Sequence, residues 1–297
     1  MSIAYPPVLD RLEKGPPLRL VAVGGGCIAD AQIAEFADGS SAFVKRKAGI
    51  PGMFEREAEG LDALAAAGAI RVPRVLAVAP GTLVLEHIRR SPRRSDFFEH
   101  FGRAFARLHR HTGPACGFSN DNWIGATPQP NAPLEGSWSE GRGTPPGDGR
   151  DWPDFFIERR LRFQVDLAAE KGFGRLAILL DACQARFEDM LRASTEPPSI
   201  LHGDLWGGNY IVDDNGEACL VDPAAYFGHR EADLAMTRLF GGFEPQFYTA
   251  YEEEWPLAAG HEERLPMYQL YHLINHLNLF GSGYYAQCER ILEQYAK

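Results

Sequence analysis

Three polar side chains in one stretch of the chain could together carry out phosphoryl transfer. Asp204 follows the apolar pair Ile200 and Leu201, and Asn209 comes five residues later. Asp222 ends a later apolar run. Phosphoryl transfer from a nucleotide needs one carboxylate that faces the attacking hydroxyl, and an amide and a second carboxylate that hold magnesium. Asp204 is therefore the candidate catalytic base, and Asn209 and Asp222 are the candidate metal ligands.

A β-hairpin must bring these three groups together. Residues 210–212 and 218–221 are apolar, and the Asn-Gly pair between them is a strong hairpin signal. Such a hairpin would direct the three polar groups to the same side. The spacing His-Gly-Asp-x-x-x-x-Asn closely matches the catalytic loop of kinases. A buried hairpin with polar turns and no catalytic role is the alternative interpretation.

A glycine run near the N-terminus is a candidate phosphate-binding loop. Residues 18–24 predict a strand, and Gly24, Gly25 and Gly26 stand at its end, before a second predicted strand over 32–36. Glycine lets backbone N–H groups approach phosphate oxygens without a side-chain clash. A plain hairpin turn explains the glycine run equally well.

A lysine and a glutamate could form the ion pair that holds nucleotide phosphates. Lys45 lies on a third predicted strand, 41–47, and Glu57 lies on a helix predicted over 53–67. Kinases position the α- and β-phosphates with a strand lysine that is paired to a helix glutamate. An unpaired, solvated lysine is the ordinary alternative.

The predicted elements divide the chain into two lobes. Residues 1–87 contain one predicted helix and five predicted strands, of which the last two span 74–79 and 82–86, and this indicates a small antiparallel-sheet N-lobe. Residues 88–297 form a mainly helical C-lobe that contains the catalytic hairpin, so the fold class is α+β. The predicted C-lobe helices span 95–111, 152–171, 175–192, 230–240, 245–254, 264–280 and 284–295.

Two further features of the predicted lobes concern binding. Backbone groups of Glu86, His87 and Ile88, where the last N-lobe strand ends, would meet the adenine of ATP. His272 and His276 are four residues apart on one predicted helix and could form a metal pair. Packing or hydrogen bonding within the helical lobe is the favoured interpretation of the two histidines, because no catalytic base lies at a suitable spacing.

Composition narrows the choice of partners and compartment. The net charge of −10 disfavours a nucleic-acid partner, which requires a basic face. No apolar stretch reaches the ~20 residues of a membrane helix, and the N-terminus shows no signal-peptide pattern. The five cysteines are scattered, which suits a reducing compartment better than a disulfide framework. We therefore expect a cytoplasmic protein with neither nucleic-acid nor membrane partners.

Several motifs together resemble the fructosamine kinase (ketosamine 3-kinase) family, whose members are related to aminoglycoside and choline kinases. The matching segments, in the family's order, are 43–45, 54–57, 101–109, 121–131, 202–209 and 222–236. The resemblance implies a protein-kinase-like two-lobe fold. Asp222 is followed by Pro-Ala where protein kinases have Phe-Gly, and no Ala-Pro-Glu follows, so the usual activation loop is missing.

The resemblance also implies a reaction. ATP, with Mg²⁺, would phosphorylate the 3-hydroxyl of a ketosamine, which forms when a sugar condenses with an amine. The unstable product would shed the sugar, so that a small-molecule ketosamine or another glycated amine is deglycated. Asp204 would take the hydroxyl proton, and Lys45, fixed by Glu57, would neutralise phosphate charge. Trp123 and Trp206 could wall the sugar site, or could be ordinary core aromatics.

Two other functions remain open. An aminoglycoside-, macrolide- or choline-type acceptor on the same fold is less favoured because of the Trp-Gly-Gly sequence after Leu205 and the segment 121–125. A pseudokinase that acts as a binding module is disfavoured because every candidate catalytic residue is present. The sugar, the amine and the oligomeric state are not indicated.

One cysteine could give the enzyme redox sensitivity. Cys27 directly follows the glycine run, where backbone N–H groups and Lys45 would stabilise an exposed thiolate. Exposed thiolates are the ones that oxidise. Cys27 could therefore join two molecules through a disulfide and stop ATP binding. Otherwise the protein would be a monomer in which Cys27 is a small residue beside the glycines.

Overall fold

The computed structural model describes residues 4–24, 29–133 and 148–296. An antiparallel sheet with the order β1-β2-β3-β5-β4 forms its N-terminal part. The strands are β1 (Arg19–Val23), β2 (Asp30–Glu35), β3 (Ser41–Arg46), β4 (Val75–Ala79) and β5 (Thr82–Glu86), and one helix, α1 (Met53–Ala66), packs on the sheet. All five strands and the helix were predicted to within two residues at each end.

Period-two alternation along β3 decides what each face of the sheet does. Ala42 and Val44 pack with a short 3-10 helix, Pro7–Leu12, on one face. Phe43 and Lys45 therefore lie on the opposite face, where Phe43 packs with the cluster that contains Phe54 of α1. This alternation directs Lys45 toward α1.

Helices make up most of the C-terminal part, as predicted. They are α2 (Phe97–His109), α3 (Trp152–Phe155), α4 (Phe163–Glu170), α5 (Arg175–Arg192), α6 (Glu231–Leu239), α7 (Pro245–Glu254), α8 (His261–Phe280) and α9 (Tyr285–Tyr295). Three small antiparallel pairs join them: β6 (Asn122–Ile124) with β7 (Thr127–Gln129), β8 (Ser199–Leu201) with β11 (Tyr226–Gly228), and β9 (Tyr210–Val212) with β10 (Ala218–Leu220). The sequence did not predict β6, β7 or β11, because strands of three residues show no period and these three lack an Asn-Gly turn like the one between β9 and β10.

The prediction of one regular helix over 152–171 is wrong, because the segment contains non-α turns. A π-helical segment, Phe156–Arg162, separates α3 from α4. Arg160 in this segment is buried, and its guanidinium lies 4.0 Å from the centroid of the Tyr226 ring. The same group donates hydrogen bonds to the backbone oxygen of Pro130 and to Oδ1 of Asn131. π-helical turns are rare and often lie at functional sites.

Apolar packing joins the two parts of the molecule. One core cluster lies among the C-terminal helices α4, α5, α8 and α9. A second cluster brings α1 and β5 together with α2 and β8, so it crosses the predicted lobe boundary after residue 87. Because this cluster contains residues from both predicted lobes, the lobe boundary after residue 87 stays a prediction. In the ranges given above, no helix is long and apolar enough to cross a membrane.

Candidate active site

The predicted catalytic hairpin is formed by β9 and β10. Leu220 pairs with Tyr210, and the backbone N–H of Val221 donates a 3.0 Å hydrogen bond to the oxygen of Asn209. Asp222 therefore lies beside Asn209 at the open end of the hairpin. Asp222 also has a left-handed backbone conformation, with φ of +56°. Residues other than glycine rarely adopt it, and such strain is typical of functional sites.

Asp204 lies against Asn209 in the same loop. The amide Nδ2 of Asn209 donates to the backbone oxygen of Asp204 at 2.8 Å and to its Oδ2 at 3.2 Å. Burial, with the negative charges of Asp222 and Asp233, raises the pKa of Asp204 well above its usual range. The Asp204 side chain remains 21% exposed, so it can reach an acceptor hydroxyl. A carboxylate of raised pKa is a better proton acceptor.

Lys45 links the sheet, α1 and the hairpin. Its Nζ lies 2.7 Å from Oε1 of Glu57, so the predicted ion pair is confirmed, and 3.0 Å from Oδ1 of Asp222. Burial opposes the charge on Lys45, but the attraction of the two carboxylates outweighs it and raises the pKa of the ammonium group. Burial raises the pKa of Glu57. Lys45 thus carries a fixed positive charge beside the candidate metal ligands.

The donor set at the end of the hairpin fits magnesium. Asp222 is half exposed, and Oδ1 of Asn209 accepts no hydrogen bond from any residue that the structure describes, because Nδ2 makes the contacts to Asp204. Mg²⁺ prefers oxygen ligands and is commonly held by one or two carboxylates together with substrate phosphates and water. Across the same residues, no group of three or more His, Cys, Asp or Glu could hold a metal ion alone. Phosphate oxygens would have to complete the site.

A buried carboxylate that the sequence reasoning missed holds the catalytic loop. Asp233 accepts hydrogen bonds from the backbone N–H groups of His202 at 2.7 Å and Gly203 at 2.8 Å. Nε2 of His109 lies 3.2 Å from the same carboxylate. Gly203 has φ of +80°, and a Cβ there would lie 2.1 Å from the backbone oxygen of Ala224. The His-Gly-Asp motif therefore needs glycine for both conformation and space.

Buried amides of the β6–β7 hairpin support the chain after Asp222. Asn122 donates to the backbone oxygen of Ala225 at 2.9 Å, and Gln129 donates to that of Ala224 at 3.0 Å. The hydroxyl of Tyr271 in turn donates to Oε1 of Gln129 at 2.6 Å. The segment 121–131 was recognised only as a family motif, but its polar residues between apolar ones were a usable signal for this network.

The two candidate sugar-site tryptophans differ in their surroundings. Trp206 is 40% exposed, and its ring lies 6.4 Å from that of Phe240. It follows Asp204 closely and is available to an acceptor. Trp123 on β6 is half-buried, and its Cη2 lies near Gly52, just before α1. Trp206 is thus part of the loop that carries Asp204, and the role of both tryptophans at a sugar site stays a prediction.

The residues that are predicted to meet the adenine, 86–88, offer backbone groups rather than side chains. The carboxylate of Glu86 pairs with Arg71 at 2.8 Å, and Nδ1 of His87 lies 2.8 Å from the Ser41 hydroxyl oxygen. The main-chain N–H and C=O groups of His87 and Ile88 hydrogen-bond to no residue that the structure describes. They could therefore pair with a base.

The glycine loop is described only at its first residue. Gly24 follows β1, and a Cβ placed there would meet no atom within 4 Å. Gly25, Gly26 and Cys27 lie outside the described residues. Their predicted contacts to phosphate, and the redox role of Cys27, stay predictions.

Comparisons with known proteins identify the family. The fructosamine kinase family model matches residues 16–297. A protein named probable ketoamine kinase from Synechocystis is 38% identical over 94% of this chain and 92% of its own length. The protein-ribulosamine 3-kinase, chloroplastic, of japonica rice is 39% identical over 93% of this chain and 78% of its own.

Solved structures agree with this assignment. A Thermobifida fusca protein that carries the fructosamine-3-kinase name has a TM-score of 0.83 and 30% identity, with 98% of both chains covered. A thermostable mutant of the aminoglycoside phosphotransferase APH(4)-Ia shares the fold alone, at 15% identity and a TM-score of 0.54, with 97% of this chain and 98% of its own covered. The predicted protein-kinase-like α+β fold is confirmed. The chain belongs to the fructosamine kinase family.

Proposed function

We propose that this protein is an ATP-dependent kinase that phosphorylates the 3-hydroxyl group of ketosamines. One observation carries the proposal: in a member of this family, the Lys45–Glu57 pair and the Asp204–Asn209 pair meet at Asp222. The names of the relatives, ketoamine kinase and protein-ribulosamine 3-kinase, support a sugar-amine acceptor.

Asp204 acts as the general base in the proposed reaction. The acceptor hydroxyl donates to its carboxylate and transfers its proton there as the hydroxyl oxygen bonds to the γ-phosphorus. The bond between that phosphorus and the β,γ-bridging oxygen breaks, and ADP leaves. Asn209 holds the Asp204 carboxylate from one side, so the base is oriented before the acceptor arrives.

Lys45, Asn209 and Asp222 stabilise the charge that moves during transfer. Lys45 faces the α- and β-phosphates, and Glu57 keeps its ammonium group in place. Asn209 and Asp222 would hold Mg²⁺, which supplies electrostatic stabilisation of the phosphate oxygens when bound. Main-chain groups of His87 and Ile88 receive the adenine.

A substrate panel tests the acceptor. ATP consumption is measured with ribulosamine and fructosamine derivatives of lysine, with the same amines without sugar, and with kanamycin-like aminoglycosides. We expect the highest kcat/KM with a ketosamine, and ³¹P NMR should locate the new phosphate on its 3-oxygen. A higher kcat/KM for an aminoglycoside would reject the ketosamine assignment.

A single variant tests the base. Asp204→Asn keeps the shape of the side chain but cannot take the proton, so ATP binding should persist while turnover is lost. If the variant keeps more than about a tenth of the wild-type kcat, a loss below ~1.4 kcal/mol, Asp204 is not the base.

The cytoplasmic location remains a proposal from the sequence.

The redox role of Cys27 also remains a proposal from the sequence. The other four cysteines are buried, and burial raises the pKa of each thiol. An oxidised dimer should therefore form through Cys27 alone. Peroxide treatment followed by a non-reducing gel should give a dimer for the wild type and none for Cys27→Ala. Oxidation that inactivates both proteins equally would remove the redox role.

A further inference from the structure

A buried histidine lies next to the candidate base. His272 on α8 is 3% exposed, and its Nδ1 has no partner among the residues that the structure describes. The nearest acidic oxygen is Oδ1 of Asp204, at 4.0 Å. A buried polar atom that stays unpaired destabilises the fold, so its position calls for a reason.

His272 is suited to donate a hydrogen bond rather than to carry charge. Burial, reinforced by His276 and Arg160 and opposed by Asp233, lowers the pKa of His272 to about 3. The imidazole is therefore neutral at physiological pH, with one nitrogen that donates and one that accepts. His276, one turn along α8, has its Nδ1 2.8 Å from the backbone oxygen of His272, so this contact does not use the ring of His272.

Asp204 offers the matching acceptor. Nδ2 of Asn209 contacts Oδ2 of Asp204, whereas Oδ1 accepts no hydrogen bond from any residue in the described ranges. Among the described residues, Nδ1 of His272, which donates in one of the two neutral tautomers, and Oδ1 of Asp204 thus both lack a partner and lie about 1 Å beyond hydrogen-bond distance of each other. Hydrogen bonds to catalytic groups are commonly long without substrate and tighten in the reactive complex.

We propose that His272 is a positioning residue, which donates a hydrogen bond from Nδ1–H to Oδ1 of Asp204 in the complex with substrates. With Asn209 on Oδ2 and His272 on Oδ1, both carboxylate oxygens are fixed. Each oxygen keeps a second lone pair, so the acceptor hydroxyl can still donate to Asp204. The inference rests on the proposed function, because it takes Asp204 to be the base.

A matched pair of variants tests this role. In His272→Asn, the amide nitrogen Nδ2 can take the place of the imidazole Nδ1. In His272→Gln, the side chain is longer, and its amide nitrogen takes the place of the imidazole Nε2 instead. We expect His272→Gln and His272→Leu to lower kcat about 10- to 100-fold, as a misplaced catalytic group does, with the KM for ATP within about threefold of wild type. His272→Asn, in contrast, should keep kcat within about threefold of wild type.

Melting temperatures distinguish a loss of stability from a loss of position. The Asp204→Asn variant distinguishes a failure of the His272 role from a failure of the proposed function. The Asn and Gln variants should melt within a few degrees of each other, so a kcat difference between them reports position rather than stability. If His272→Asn and His272→Gln have equal kcat values, the inference is overturned, whether both variants are active or both are impaired. This comparison does not require His272→Leu to fold. If Asp204→Asn remains active, the proposed function fails. An inactive Asp204→Asn beside equal His272 variants removes only the role of His272.

Discussion

Oδ1 of Asp233 accepts a 2.8 Å hydrogen bond from the backbone N–H of Gly203, the residue directly before Asp204. The other carboxylate oxygen accepts from the N–H of His202. A side chain on α6 therefore fixes the backbone of the catalytic loop. This explains why the loop can hold Asp204 although Asp204 itself has few contacts.

Asp233→Asn should destabilise the fold in a pH-dependent way. Burial raises the pKa of Asp233, but His109, His202 and the N–H of Gly203 outweigh it, so the net pKa is lowered. The stabilisation is thus fully present above the unfolded-state pKa of about 3.9 and is lost as pH falls through the lower folded-state value. We expect a loss of roughly 2–3 kcal/mol near pH 7.

Urea unfolding of both proteins between pH 3 and pH 8 measures this effect. The difference in unfolding free energy should be constant above about pH 5 and shrink at lower pH. Glu262→Gln, an exposed carboxylate on α8, serves as the control and should change stability by less than about 0.5 kcal/mol. A difference for Asp233→Asn that stays the same down to pH 3 would contradict the assignment.

Gly203→Ala should abolish activity by a steric route. The new Cβ would lie 2.1 Å from the backbone oxygen of Ala224, and φ of +80° is unfavourable for alanine. The loop must shift, which would misplace Asp204. Gly174→Ala is the matched control, because its φ is −61° and no atom lies within 4 Å of the added Cβ. Equal kcat for the two variants would show that the loop tolerates the shift.

The sequence predicted the parts of this site whose spacing along the chain is diagnostic. Asp204 and Asn209 lie in one loop, and the Asn-Gly turn fixes how Asp222 returns to them, so local rules were sufficient. Lys45 and Glu57 could also be paired, because strand alternation and helix position limit where each side chain points.

The missed residues act across long sequence separations. Asp233 and His272 meet the catalytic loop through the packing of α6 and α8, which no local pattern encodes. His272 looked like an ordinary buried histidine, since its relation to Asp204 depends on a contact between residues 68 positions apart by their numbers. The π-helical segment was missed for a similar reason, because the contacts of Arg160 are tertiary.

Removal of either partner of the Lys45–Glu57 pair should impair ATP binding as well as turnover. Both side chains are about 10% exposed, so either one alone leaves a charge that is poorly solvated. Loss of one partner of a buried pair can cost ~3–5 kcal/mol. We expect Glu57→Ala to raise the KM for ATP and lower kcat. Glu55→Ala, on the same helix, serves as the control, and an ATP KM that changes equally in both would refute the pairing role.

Asp222→Asn should weaken the binding of Mg²⁺ without unfolding the protein. Asparagine tolerates the left-handed conformation found at this position, so the backbone should keep its φ of +56°. The amide supplies one neutral oxygen in place of a carboxylate, and it no longer balances the charge of Lys45. We expect the Mg²⁺ concentration for half-maximal activity to rise about tenfold or more. The rise in melting temperature that Mg²⁺ and ADP give together should fall in parallel. Asp214→Asn, at the exposed turn of the same hairpin, should leave both unchanged, and an unaltered Mg²⁺ requirement in Asp222→Asn would exclude Asp222 as a ligand.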